Sequence, residues 1–309
     1  MKNIIRLLVL SGLMMACQEH QEDFPQDDQR TVELSAQISS EGARADLVTV
    51  GKQHFENKDQ MGLFVDAQGT QTCWTFDANK WTSNKKVYWK EPESTFCAYY
   101  PYAERAVYDV VPMPDLTRQK GTDKDINSFD FVVSKANFVY NDCKGIVSFT
   151  EENSLKHVYA MVIVNIKNKY TDEAVDVDYV NFVGDGLFTQ SSYSFVKDKI
   201  EMEYAGGEKN SLKIDYPSGQ QLSSTENLIV KIFVNPKTCK SPLKFSLGYT
   251  DHVQSKTAVA DNLSNEFKAG FYYKYNMTLN NRSELVITGV NINGTENEDL
   301  PDLILPDAE

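Results

Sequence analysis

In the nine residues Thr31-Val32-Glu33-Leu34-Ser35-Ala36-Gln37-Ile38-Ser39, every apolar side chain falls on an even position. Successive side chains of a β-strand point to opposite faces, so Val32, Leu34, Ala36 and Ile38 form one buried face and polar groups form the other. Period-two alternation returns at Met61, Leu63 and Val65, which Gly69 closes with a turn, while Trp74, Phe76 and Trp81 flank the turn Asp77-Ala78-Asn79. The run Phe96-Cys97-Ala98-Tyr99-Tyr100-Pro101-Tyr102 predicts a strand that stops at Tyr100, because Pro101 has no N–H to donate. Residues 158–166 are apolar on both faces, as expected of a strand covered on each side, and they open the core of a second domain. Further strands are predicted at Asn227–Val234, Leu243–Tyr249 and Tyr272–Leu279. Beyond the amino terminus no segment sustains a 3.6-residue period. The expected fold is therefore all-β, built as antiparallel sandwiches without βαβ units.

The amino terminus follows different rules. Lys2 and Arg6 precede an apolar run from Leu7 to Ala16, and no acid occurs before Glu19. That pattern is a signal peptide over residues 1–16. The run is too short to span a hydrocarbon core of roughly 30 Å, which takes about 20 helical residues. It ends Leu13-Met14-Met15-Ala16-Cys17, which resembles a lipobox, with Cys17 as the lipidated residue and residues 17–30 as a polar tether. Acids at Glu19, Glu22 and Asp23 resemble a signal for the outer face of the outer membrane, and a merely solubilising linker is the alternative.

Composition excludes some partners. The formal charge is −13, and losing Lys2 and Arg6 with residues 1–16 makes it −15, so nucleic acid is not an expected partner. About 290 mature residues suggest two domains, with the boundary near residue 150 in Glu151-Glu152-Asn153. Cys73, Cys97, Cys143 and Cys239 contain no C-x-x-C pair, which argues against zinc; free buried thiols are favoured, and a disulfide between Cys73 and Cys97 stays open.

Several segments together resemble the fimbrillin family, the subunits of type V pili. They are Trp81-Thr82-Ser83-Asn84-Lys85-Lys86-Val87-Tyr88-Trp89 with Pro92 and the 96–102 run, Asp59-Gln60-Met61-Gly62-Leu63-Phe64, Lys156-His157, and Phe267-Lys268-Ala269-Gly270-Phe271-Tyr272-Tyr273-Lys274-Tyr275. The resemblance implies two tandem transthyretin-like β-sandwich domains, here 31–150 and 151–282, with a carboxy-terminal donor-strand tail at 283–309. It implies export as a cell-surface lipoprotein of the outer membrane, and a role as fimbrial subunit or accessory adhesin facing host or bacterial surface ligands. Its partners would be other fimbrial subunits, joined by strand donation after an Arg-specific protease removes the first strand.

In that scheme Val32, Leu34, Ala36 and Ile38 are the removable strand, and Arg44, in the polar break Gly42-Ala43-Arg44-Ala45-Asp46, is the processing site. Arg30 is a second candidate, although cutting there leaves the strand in place. Each large side chain buried on refilling is worth roughly 1.5–3 kcal/mol. The candidate donor carries Val286, Thr288, Val290 and Ile292 at period two, before Asn293-Gly294 and a second apolar patch at Leu303-Ile304-Leu305. The same segment could instead be the last strand of its own domain.

Catalytic chemistry is not expected. His20, His54, His157 and His252 stand apart, and the Asp123, Asp125, Asn127 series lacks the Gly and Glu of a calcium loop, so neither metal nor cofactor is anticipated. Gly184-Asp185-Gly186 reads as a hairpin turn. The rival function is an outer-membrane surface glycan-binding lipoprotein, which would stack sugars on an exposed Trp74, Trp81 or Trp89.

Overall fold

The computed structural model describes residues 30–39, 51–67, 70–83, 85–171, 173–202 and 210–293. Cys17, the signal segment, Arg44 and residues 294–309 lie outside the described residues. The first half of the chain forms β1 (Glu33–Ala36), β2 (Gln60–Val65), β3 (Thr72–Asp77), β4 (Lys80–Ser83), β5 (Glu93–Tyr100), β6 (Val111–Pro112), β7 (Val132–Val139), β8 (Ile146–Phe149) and β9 (Lys156–His157). The second half continues with β10 (Ala160–Asn168), β11 (Val175–Val183), β12 (Ser191–Ser194), β13 (Lys199–Met202), β14 (Ser211–Leu222), β15 (Leu228–Val234), β16 (Lys237–Thr238), β17 (Lys244–Thr250), β18 (Ser255–Ala260), β19 (Glu266–Phe267), β20 (Tyr272–Leu279) and β21 (Leu285–Asn293). The fold is all-β, as the alternation requires.

Six strands in the order β4-β3-β2-β5-β7-β9 make the amino-terminal sheet, and β1 pairs separately with β8. Their inward faces meet in a core of Trp74, Trp81, Trp89, Phe96, Val147, Phe149 and Leu155. In the second half, the sheets β15-β10-β20-β21 and β14-β11-β17-β18 enclose a core that includes Val162, Val180, Phe245 and Tyr275. Strand β10 is apolar on both faces for a visible reason. Val162 and Val164 enter that core, whereas Met161 and Ile163 enter a third cluster with Phe64, Tyr99, Phe131 and Tyr193. This third cluster draws on both halves of the chain, so the halves share buried apolar surface.

Two local expectations change. Pairing is not uniformly antiparallel, since β1 runs parallel to β8 and β10 parallel to β20. Gly184-Asp185-Gly186 does not close a hairpin; it carries the chain from β11 to β12, which belong to different sheets, because β11 finds its neighbours in β14 and β17. The turn Glu151–Asn153 sits near the expected boundary, yet the amino-terminal sheet continues to His157, because β9 pairs with β7.

Candidate functional site

The removable-strand segment occupies an edge. Strand β1 lies parallel to β8 with Glu33 opposite Ile146 and Ala36 opposite Phe149. Flanking bonds extend this hold: Val32 N donates to Val87 O at 2.8 Å, Gln37 N to Phe149 O at 2.9 Å, Leu155 N to Gln37 O at 2.9 Å and Ser39 N to Leu155 O at 2.8 Å. Alternate residues of a strand direct their backbone groups to opposite edges. With β8 as the one strand neighbour of β1, Leu34 and Ala36 turn their N–H and C=O groups toward a side that carries no paired strand.

That side opens on a groove of about 1070 Å³, walled by residues 32–38 and, opposite them, by Phe55, Trp74, Phe76 and Trp81. Val32 and Ile38 are buried at its ends, while Leu34 and Ala36 between them are half-buried. Phe55 anchors the opposite wall through ring contacts at 4.8 Å with Trp81 and 5.5 Å with Tyr100. The alternation of 31–39 thus produces an apolar ribbon packed through one face and bonded along one edge, with a second hold on its other edge only at its amino-terminal end, where Thr31 bridges Tyr88.

The opposite wall is fixed independently of β1. Lys52 N donates to the buried Asp130 Oδ2 at 2.8 Å, and Lys52 Nζ meets Asp59 Oδ2 at 3.0 Å. Tyr100 donates its hydroxyl to Asp59 Oδ1 at 3.0 Å. Burial, and then the adjacent Asp59 carboxylate, pushes the Tyr100 phenol far above its usual range, so it stays a neutral donor. His157 completes the arrangement with Nδ1 at 2.9 Å from Asp130 Oδ2, deep in the protein. In the sequence His157 stands apart from the other histidines, with no partner in view. Sequence reasoning could not place Asp130 beside it, because the two meet through the pairing of β7 with β9.

The candidate donor residues lie on β21, which pairs antiparallel with β20 at the end of the sheet. The single face expected for Val286, Thr288, Val290 and Ile292 is split here. The register shifts between Asn276 and Met277, so β21 carries one extra residue and its alternation changes phase. Ile287, Val290 and Ile292 pack on the core, whereas Val286 is 41% exposed.

The remaining candidates resolve plainly. Trp74, Trp81 and Trp89 are buried at 5%, 7% and 1% exposure, so none offers a face to a sugar. Trp89 donates Nε1 to Gly145 O at 3.3 Å and packs on Phe96 at 4.8 Å. The four described cysteines are free thiols. Burial pushes the Cys97 thiol up to about 11. Arg30, the second candidate cleavage residue, is buried with its backbone carbonyl bonded to Trp89 N at 2.8 Å.

Comparison with known proteins follows this geometry. The sequence profile of the fimbrillin-like family matches residues 44–294. Among solved structures, a candidate cell adhesion protein of Bacteroides ovatus superposes with a TM-score of 0.63 at 14% identity, covering 88% of this chain and 99% of that one. A second, from Bacteroides uniformis, gives 0.62 at 16% identity over 87% of this chain and 100% of that one. A fimbrial protein of Bacteroides vulgatus gives 0.50 at 16% identity, with 86% and 100% covered. No protein of curated function matches. The chain belongs to the fimbrillin-like family.

Proposed function

We propose that this protein is a cell-surface fimbrial subunit or accessory adhesin, made of two transthyretin-like sandwiches, that joins its neighbours by strand exchange. It is exported to the outer membrane as a lipoprotein on Cys17. Cleavage after Arg44 frees the ribbon of Val32, Leu34, Ala36 and Ile38, and a neighbour's Val286, Thr288, Val290 and Ile292 refill the groove. The observation that carries this reading is the placement of β1, bonded along one edge beside an open groove with an aromatic wall. Such an edge can be vacated without breaking any pairing of the six-stranded sheet, and its vacancy would leave unpaired backbone groups over apolar pockets. Strand β21 suits donation because it too ends its sheet, so peeling it breaks pairing with β20 alone. Removal of its bulge on transfer would bring Val286 and Thr288 back into phase with Val290 and Ile292.

The test is to treat the purified precursor with an Arg-specific protease and follow its size. Heat-labile ladders that resist SDS are the expected product. Chain that stays monomeric after complete cleavage at Arg44 refutes the exchange.

A further inference from the structure

Away from the groove, a cleft of about 640 Å³ opens between the two halves of the chain, a size typical of small-molecule sites. Two of its lining side chains are deeply buried polar groups, His157 from β9 and Asn235 just after β15, at 5% and 1% exposure. Each is satisfied on one side only. His157 Nδ1 is spent on Asp130, and Asn235 Nδ2 donates to Thr189 Oγ1 at 3.1 Å. His157 Nε2 and Asn235 Oδ1 have no hydrogen-bond partner. Buried polar atoms are almost always paired in folded proteins, so two such atoms carried by residues that line one cleft point to a missing partner.

We propose that this cleft binds a small neutral polyhydroxylated ligand, one or two sugar residues, through His157 Nε2 and Asn235 Oδ1. The chemistry of the two atoms selects the class. With Nδ1 hydrogen-bonded to a carboxylate, neutral imidazole leaves Nε2 as an acceptor, and an amide oxygen is an acceptor always. A fully deprotonated inorganic anion such as sulfate has no hydrogen to donate to the Asn235 amide oxygen. A metal ion lacks ligands, since no cluster of three or more His, Cys, Asp or Glu exists among the described residues. An organic cation meets Lys135, Lys156 and Lys199 around the same cleft, with Glu152 and Asp198 as the opposing charges. Hydroxyl groups donate to both acceptors, and a hydroxyl would also accept from Nε2 if the imidazole were protonated. Tyr193 and Pro236 supply apolar wall for the C–H faces of a sugar ring. The Tyr193 hydroxyl is already committed to Asp198 Oδ1 at 2.6 Å. Both unmet atoms are covered in the free chain, so entry includes a shift of lining side chains, a common accompaniment of binding.

The test uses saturation-transfer NMR on the full mature chain with the methyl glycosides of glucose, galactose, mannose and N-acetylglucosamine, each at about 10 mM, where weak sites fill. Transfer to at least one glycoside is expected. Ala269→Trp, at the exposed rim, should abolish it by blocking the cleft without touching the buried pair. Asn235→Leu should weaken binding about tenfold, the effect of one lost hydrogen bond, while Asn235→Asp keeps an acceptor and keeps binding. Should Asn235→Leu fail to fold, the rim variant alone decides. Absence of transfer from all four probes, or transfer that survives Ala269→Trp, overturns the site.

Discussion

Replacing Ile38 by Ala probes whether the first ribbon is a separable unit. Ile38 is 5% exposed and sits beyond the end of β1, where its bridge to Leu155 closes the ribbon's carboxy-terminal end. Removing three buried heavy atoms from such a site costs about 2–4 kcal/mol. Where that cost falls depends on the structure. Within the ribbon, β1 pairs with β8 alone and faces open groove on its other edge, and only short bridges to Tyr88 and Leu155 hold its ends, so it should open locally, well before the larger sheets unfold. Its amides then lose about 2–4 kcal/mol of protection, which is roughly a 30- to 1,000-fold rise in the opening constant, at tenfold per 1.4 kcal/mol. Hydrogen exchange read by mass spectrometry should place this gain on residues 31–39 and leave peptides from β5 and β10 unchanged. Equal loss of protection across β5 and β10 would mean that β1 belongs to the global cooperative unit. The ribbon could not then leave without unfolding its domain, and the reasoning behind strand exchange would fail.

Two glycines that face tyrosines across strand pairs should respond differently to a methyl group. A Cβ on Gly62 would lie 2.1 Å from the fully buried Tyr99 ring, which has nowhere to move, so Gly62→Ala should destabilise by about 1–3 kcal/mol in urea titration. Gly248 meets Tyr179 at the same 2.1 Å, but that ring is half-buried and can swing outward, so Gly248→Ala should cost less than about 1 kcal/mol; equal costs would refute the distinction. In the turn after β17, hydrogen bonds from Lys256 and then Tyr170 hold the Asp251 carboxyl well below its usual range. A lowered folded value contributes stability that is fully present above the ordinary Asp value of about 4 and is lost as pH falls below it. Asp251→Asn should therefore flatten the fall in Tm below about pH 4, and an unchanged acid slope would rule the contribution out.

How much of this was legible in the chain can be judged from particular segments. Tyr272–Leu279 is a strand with the predicted limits, and β5 stops at Tyr100 before Pro101, as a residue without an N–H requires. The double-faced apolar run at 158–166 correctly announced a strand between two cores. The candidate site was legible only in part. Its ribbon could be read from nine residues, but neither its parallel partner 113 positions later, Glu33 against Ile146, nor the aromatic wall across the groove could be. The cleft with His157 and Asn235 gave no sequence signal, since its two acceptors are 78 residues apart and each is ordinary by itself.

Alternation along the chain decides which side chains face inward, because the period of a strand is fixed by its own backbone geometry. On that basis the sequence by itself determined the all-β class, the position of most strands, and an apolar ribbon at 31–39. It could not decide which edges pair, because every residue offers the same N–H and C=O whatever its neighbour. Packing across the whole molecule made that choice. It set β1 parallel to β8, inserted the bulge that splits the faces of β21, and buried Asp130 against His157 between strands that meet only in the folded chain.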